Sequence, residues 1–169
     1  MPHVLSRLSA HRQAVHSILH CGLAKGHRGN QASGLRLERA YGAPVLLSGT
    51  AALILNGAEI SVLHQHYKCS VRQILRLPIT TPESFVMFIA GSLPATAFIH
   101  LHTLTLLGMI SRLGRDGILN KIGCQALLAG STHSWFVMVR HTTNRYGLPD
   151  PLLILQKPPS KSQWKSLCK

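Results

Sequence analysis

Ile60, Leu63, Tyr67, Val71 and Ile74 fall on one side of any α-helix drawn through residues 58–77. His64, Lys68, Arg72 and Arg76 recur at strict four-residue steps on a different face. An extended strand would keep the basic set on one face but scatter the apolar set across both, so the two together fit a long amphipathic helix. Residues 3–24 repeat the pattern: Val4, Leu8, Val15, Ile18, Leu19 and Leu23 keep helical spacing, and Arg12, His16 and His20 step by four beside them. Period-two alternation is hardly visible anywhere in the chain. The expected fold class is all-α, an irregular bundle of about six to seven helices that includes a basic N-terminal helix and the amphipathic helix near 58–77.

Turn residues set the expected boundaries. Gly22, Gly26 and Gly29 end the first helix and open a polar loop. A second helical stretch is expected from about Ala32 to Asn56, with a kink or break at Gly42-Ala43-Pro44 and an apolar run from Pro44 to Leu55. Pro78 and Pro82 terminate the 58–77 helix, and Thr81-Pro82-Glu83 reads as the start of the next. Asp116 is placed to cap a helix over 117–129. Ser131 or Thr132 is placed to cap another that passes through Trp135, Met138 and Val139 and stops at Gly147. Beyond Pro151, Lys157, Lys161, Lys165 and Lys169 recur every four residues in what reads as a basic tail.

Residues 84–111 contain no Asp, Glu, Lys or Arg, which makes them a membrane-span candidate by length. Gly91-Ser92-Leu93-Pro94 breaks the run, and His100 and His102 lie within it, so it reads as two buried helices joined at a turn. The expected organisation is one domain, with a basic helix and Gly-rich loop over 1–30, a helical core over 31–150 and the basic tail over 151–169.

Charge narrows the chemistry. Five carboxylates (Glu38, Glu59, Glu83, Asp116 and Asp150) stand against eighteen Lys and Arg, a formal net charge of +13. Two-metal phosphoryl transfer and paired-acid glycoside hydrolysis need clustered carboxylates, and no two of these are close in sequence. A polyanion, either nucleic acid or an anionic membrane, is the natural counterpart of such a charge. The first acid appears only at position 38, after several Arg and Ser residues, which is also the composition of a mitochondrial transit peptide. A basic amphipathic helix belonging to the fold is the preferred reading of that segment.

Cys21, Cys69, Cys124 and Cys168 form no C-x-x-C pair, so neither a zinc ribbon nor a disulfide framework is expected. His16 and His20 share a helix face, whereas His64 and His66 point apart. Neither set has metal-ligand spacing with carboxylate support, and no metal or cofactor is expected. No P-loop, G-x-G-x-x-G or G-x-S-x-G motif is present. The basic stripes remain, with Lys68, Arg72 and Arg76, and Arg7 with Arg12, as candidate phosphate contacts.

Tyr41 to Gly49, YGAPVLLSG, resembles the "YG-x-x-x-LL-x-G" segment that follows the catalytic palm in reverse transcriptases of LINE-type (non-LTR) retrotransposons. His64 to Pro78, HQHYKCSVRQILRLP, is similar to that family's "L…H-x-x-x-x-R-x-I-L-x-L" helix. Thr81-Pro82 resembles its "RTP"-like turn, Gly91 to Pro94 its "G-x-LP", and Leu104 to Gly114, LTLLGMISRLG, its "RLxxLGHIxRM"-like helix. The segments before Tyr41 and from Ser134 to Leu155 also look like this family's C-terminal region. Thr50 and Ala51 stand where an acidic residue and a tryptophan are often found, and the chain has no adjacent aspartates.

The resemblance implies a non-catalytic thumb or post-palm region, cut off at both ends, that grips a template–primer duplex. It assigns phosphate contact to Lys68, Arg72 and Arg76, and more weakly to Arg7 and Arg12. The implied partners are RNA or an RNA–DNA duplex and the missing palm of the same polyprotein, with no small-molecule substrate, in the nucleus or cytoplasm. The alternatives are a small basic membrane-associated or mitochondrial protein, or a relic reading frame without selected activity.

Overall fold

The computed structural model describes residues 2–20, 30–114, 117–130 and 133–167, and among these every regular element is helical. Packing divides the chain into two compact units. Residues 1–48 and 55–98 form the first, and residues 49–54 and 99–169 the second. The division by composition into a basic helix, a core and a tail does not follow the packing. The N-terminal helix belongs to the core of unit 1, and the tail to that of unit 2.

Unit 1 begins with α1 (Pro2–Ile18), which buries Val4, Leu8, Val15 and Ile18 as their spacing requires. α2 (Gln31–Leu37), a π-helical turn (Glu38–Gly42) and α3 (Ala43–Leu47) follow one another without a break. The kink expected at Gly42-Ala43-Pro44 is therefore taken up by the wider turn before Pro44, which lets the helix continue through it. The helix does not reach Asn56. Ser48 is extended, Gly49 is left-handed at φ 68°, and Thr50–Ala52 forms a single 3-10 turn. The apolar run to Leu55 is thus α-helical only as far as Leu47.

α4 (Gly57–Leu75) is the helix expected near 58–77, and it buries Leu63, Tyr67, Val71 and Ile74. A reciprocal cap fixes its start: Asn56 Oδ1 accepts from the Glu59 backbone N–H at 2.8 Å, and the Asn56 N–H donates to Glu59 Oε2 at 3.0 Å. Arg76, left-handed at φ 55°, ends it ahead of Pro78. α5 (Glu83–Ala90) starts where Thr81-Pro82-Glu83 placed it. Its inner face buries Val86, Met87 and Ala90, while Phe88 is 82% exposed and Phe85 and Ile89 are also exposed. The expectation of full burial over 84–111 therefore fails for the outer face of α5.

α6 (Ala95–Ser111) follows at a 60° bend after the Gly91–Pro94 turn. Among the described residues no single helix is long and apolar enough to cross a membrane; α5 and α6 together meet that test only as a bent pair.

Unit 2 packs the distal part of α6 with α7 (Ile118–Leu128), α8 (Trp135–Arg145), α9 (Pro151–Gln156) and α10 (Lys161–Leu167) around Leu107, Leu127, Val139 and Leu155. Asp116, Ser131 and Thr132, the expected caps, lie outside the described residues, as does the Gly22–Gly29 loop. Ser134 caps α8, accepting from the Phe136 N–H, and Asp150 caps α9, accepting from the Leu152 N–H. The segment after Pro151 is no loose tail. Trp164 is buried against Gly108, and its Nε1–H donates to the Leu104 carbonyl at 3.2 Å.

Candidate nucleic-acid interface

Each of the four described carboxylates is engaged within the fold. In unit 1, Glu38 is buried against His11, with Nε2 to Oε1 at 2.9 Å, and Glu59 closes the α4 capping box. Glu83 receives His64 at 2.7 Å and Lys68 at 3.3 Å. In unit 2, Asp150 pairs with Arg140 at 3.0 Å. Little carboxylate is left to neutralise the surface cations.

The four-residue stripe on α4 is mostly turned to internal work. Lys68 and His64 converge on Glu83, and Arg72 donates through Nη2 to the Thr81 carbonyl. Together they bind the start of α5 to α4. Burial alone would raise the carboxyl pKa of Glu83, but the hydrogen bonds and charges of His64 and Lys68 outweigh it and hold the pKa below the ordinary range. Arg76 is exposed at the end of the helix. Lys68, Arg72 and Arg76 therefore do not form one bare cationic edge, because two of the three serve the turn between α4 and α5.

On α1, Arg7 is half-buried and donates to Ser48 Oγ at 3.2 Å, which joins α1 to the end of α3. Arg12 is exposed at the rim of a cavity of about 250 Å³ that also involves His11, His16, His66 and Cys69. His66 meets the His11 ring edge-on, with centroids 5.2 Å apart. Burial, then the nearby His11 and Arg12, lower its pKa, with Glu38 opposing. His64 and His66 do point apart, one to Glu83 and the other to His11. Among the described residues, no group of three or more His, Cys, Asp or Glu is arranged to hold a metal ion.

Unit 2 presents a different surface. Arg112, Lys121, Arg145, Lys157, Lys161 and Lys165 are all exposed, and none has a carboxylate partner among the described residues. With Trp164 anchored inward, Lys161 and Lys165 stand one helical turn apart on the outside of α10. Lys121 and Lys157 flank a groove of about 530 Å³ between α7 and α9.

The chain matches no family model, no curated protein and no solved structure.

Spacing did not single out His11, Glu38 or the groove. The signal for His11 was available, because it completes the Val4, Leu8, Val15, Ile18 stripe, where a buried imidazole needs a polar partner. Lys121 and Gln125 at i, i+4 carried no such signal.

Proposed function

We propose that this protein is a non-catalytic helical module that binds nucleic acid without sequence preference. The observation that carries this reading is the engagement of every described carboxylate inside the fold, while the exposed cations of unit 2 have no acidic partner among the described residues. Such a surface gains free energy by releasing condensed counterions from a phosphate backbone, and it reads no base identity in doing so. The likeness to the post-palm region of LINE-type reverse transcriptases supports the same reading, with an RNA–DNA duplex as ligand. The principal contacts are then Arg112, Lys121, Arg145, Lys157, Lys161 and Lys165, with Arg12 on unit 1.

The test is a titration of the full chain against labelled single-stranded RNA and an RNA–DNA duplex at several salt concentrations. Affinity is expected to fall by about three orders of magnitude between 50 and 200 mM salt if six phosphates are contacted. A salt-independent affinity, or none at 50 mM salt, would overturn the reading.

A second reading draws on a separate observation, the exposed Phe85, Phe88 and Ile89 on α5. An apolar helix face on a cationic protein also suits the interface of an anionic bilayer. Sedimentation with phosphatidylserine vesicles separates the two. Under the nucleic-acid reading, Phe88→Ser leaves RNA affinity unchanged; under the bilayer reading, it releases the protein from vesicles.

A further inference from the structure

Resting on the nucleic-acid reading above, we propose that the groove between α7 and α9 in unit 2 seats one nucleotide unit, with its phosphate between Lys121 and Lys157 and its base against the carboxamide of Gln125. Each helix contributes one lysine, and neither lysine has a carboxylate partner among the described residues. Gln125, exposed on α7, adds a carboxamide group of the kind that meets base edges.

Asn120 is tied into the floor of the groove by hydrogen bonds on both sides of its carboxamide. Asn120 is buried at 3% exposure, its Nδ2 donates to the Leu155 carbonyl at 3.2 Å, and its Oδ1 accepts from Cys124 Sγ at 3.5 Å. Beneath it α7 is drawn tight, since a Cβ on Gly123 would strike Phe136 and Leu155. At about 530 Å³ the space far exceeds what a lone phosphate fills, and it falls in the range of small-molecule sites. Among the described residues its lining contains no acid, and it pairs polar groups with the partly buried side chain of Cys124. That mixture suits a planar base joined to an anion better than it suits an anion alone. The nucleotide unit could arrive free in solution or as part of a strand, and the chemistry recognised is the same.

The experiment uses the full chain, isotopically labelled, titrated separately with uridine monophosphate, inorganic phosphate and a twelve-residue oligouridylate while amide resonances are followed. Uridine monophosphate is expected to shift Lys121, Gln125 and Lys157, and inorganic phosphate to bind at least about tenfold more weakly. Lys121→Ala with Lys157→Ala should weaken uridine monophosphate at least about tenfold and lower the oligouridylate salt slope by about 0.7, the share of one phosphate on a single strand. Gln125→Glu, which keeps the side chain's size, should also weaken both ligands; far-UV circular dichroism confirms that each variant is folded.

Inorganic phosphate equal to the nucleotide, or a double variant that binds like the parent, would overturn the inference. Tight oligouridylate binding untouched by these variants would overturn it too, while leaving the nucleic-acid reading intact. Binding of uridine monophosphate in the groove without oligouridylate binding would support the site as one for free nucleotide, and it would defeat the broader reading.

Discussion

His11 and Glu38, 27 positions apart in sequence, meet at 2.9 Å with side chains that are 0% and 1% exposed. This contact joins α1 to the π-helical turn in the middle of unit 1. Ser70 on α4 stands beside it, with Oγ 2.8 Å from the Tyr67 carbonyl and 3.3 Å from Glu38 Oε1. Among the described residues, His11 Nδ1 and Glu38 Oε2 have no hydrogen-bond partner. A buried pair with an unsatisfied polar atom on each member costs desolvation, and removing one member leaves the other to bear that cost alone.

Glu38→Ala is therefore expected to destabilise unit 1 by about 3 kcal/mol or more. His11→Leu combined with Glu38→Met should lose much less, because no unpaired polar group stays buried. Urea unfolding followed at 222 nm decides this. A double variant as unstable as Glu38→Ala would show that volume, not polarity, holds the site.

Two glycines should respond in opposite directions. A Cβ on Gly42 would run into the Glu38 carboxylate, so Gly42→Ala is expected to cost about 1–3 kcal/mol. Gly57, the first residue of α4, has open space within 4 Å of where a Cβ would stand and no positive φ. Gly57→Ala should stabilise by about 0.4–1 kcal/mol through the unfolded chain. Equal melting temperatures for the two variants would contradict the packing described at Glu38.

Stability should fall as the solution is acidified from neutrality, in two stages. His66 and His100 have pKa values lowered chiefly by burial, so the folded chain binds fewer protons than the unfolded one. Their contribution is present above the ordinary histidine pKa of 6.5 and fades as pH drops below it. Glu59 is lowered by its bond with the Asn56 backbone, and Glu83 is lowered by His64 and Lys68 against burial, so their share is lost below about pH 4.5. Melting temperatures from pH 8 to about pH 2 should trace both declines, and His66→Gln should flatten the first. A melting temperature that rises between pH 7 and pH 5 would reverse the sign argued here.

The helices themselves were written in local spacing. Leu63, Tyr67, Val71 and Ile74 could face only one way, whereas the capping box of Asn56 and Glu59 emerged only with the structure. The fate of the cations was not written there. A period of four places Lys68 and Arg72 on one face, but it cannot say that Glu83 and the Thr81 carbonyl will meet them there. These partners come from the return of the chain after Pro78, which is a tertiary event. The same holds for Trp164, whose burial against Gly108 converts an apparent tail into a core helix. His11 with Glu38 was hidden for the same reason, because two polar residues on separate helices share no spacing rule.

Arg76 holds φ 55° as the non-glycine residue that ends α4. A side chain in that region carries a steric cost of roughly 1 kcal/mol that glycine avoids. Arg76→Gly should raise the unfolding free energy by about that amount, as measured in urea. A loss of stability would mean that the contacts of the arginine side chain outweigh its backbone strain.

Removing charge from α4 and from α10 should separate stability from binding. Lys68→Ala with Arg72→Ala deletes two attachments between α4 and the start of α5, so unit 1 should melt earlier. The salt slope for oligonucleotide binding should change little, since both side chains are already spent on Glu83 and Thr81. Lys161→Ala with Lys165→Ala should do the opposite. These lysines are exposed and have no acidic partner among the described residues, and Trp164 between them keeps α10 seated. Their loss is expected to leave the melting temperature unchanged and to lower the slope of log affinity against log salt by about 1.4 for single strands, or 0.7 per phosphate. If the α4 pair instead lowers the slope while the α10 pair leaves it alone, the phosphate contacts lie on the amphipathic helix, as its spacing first suggested, and the internal pairs give way when nucleic acid binds.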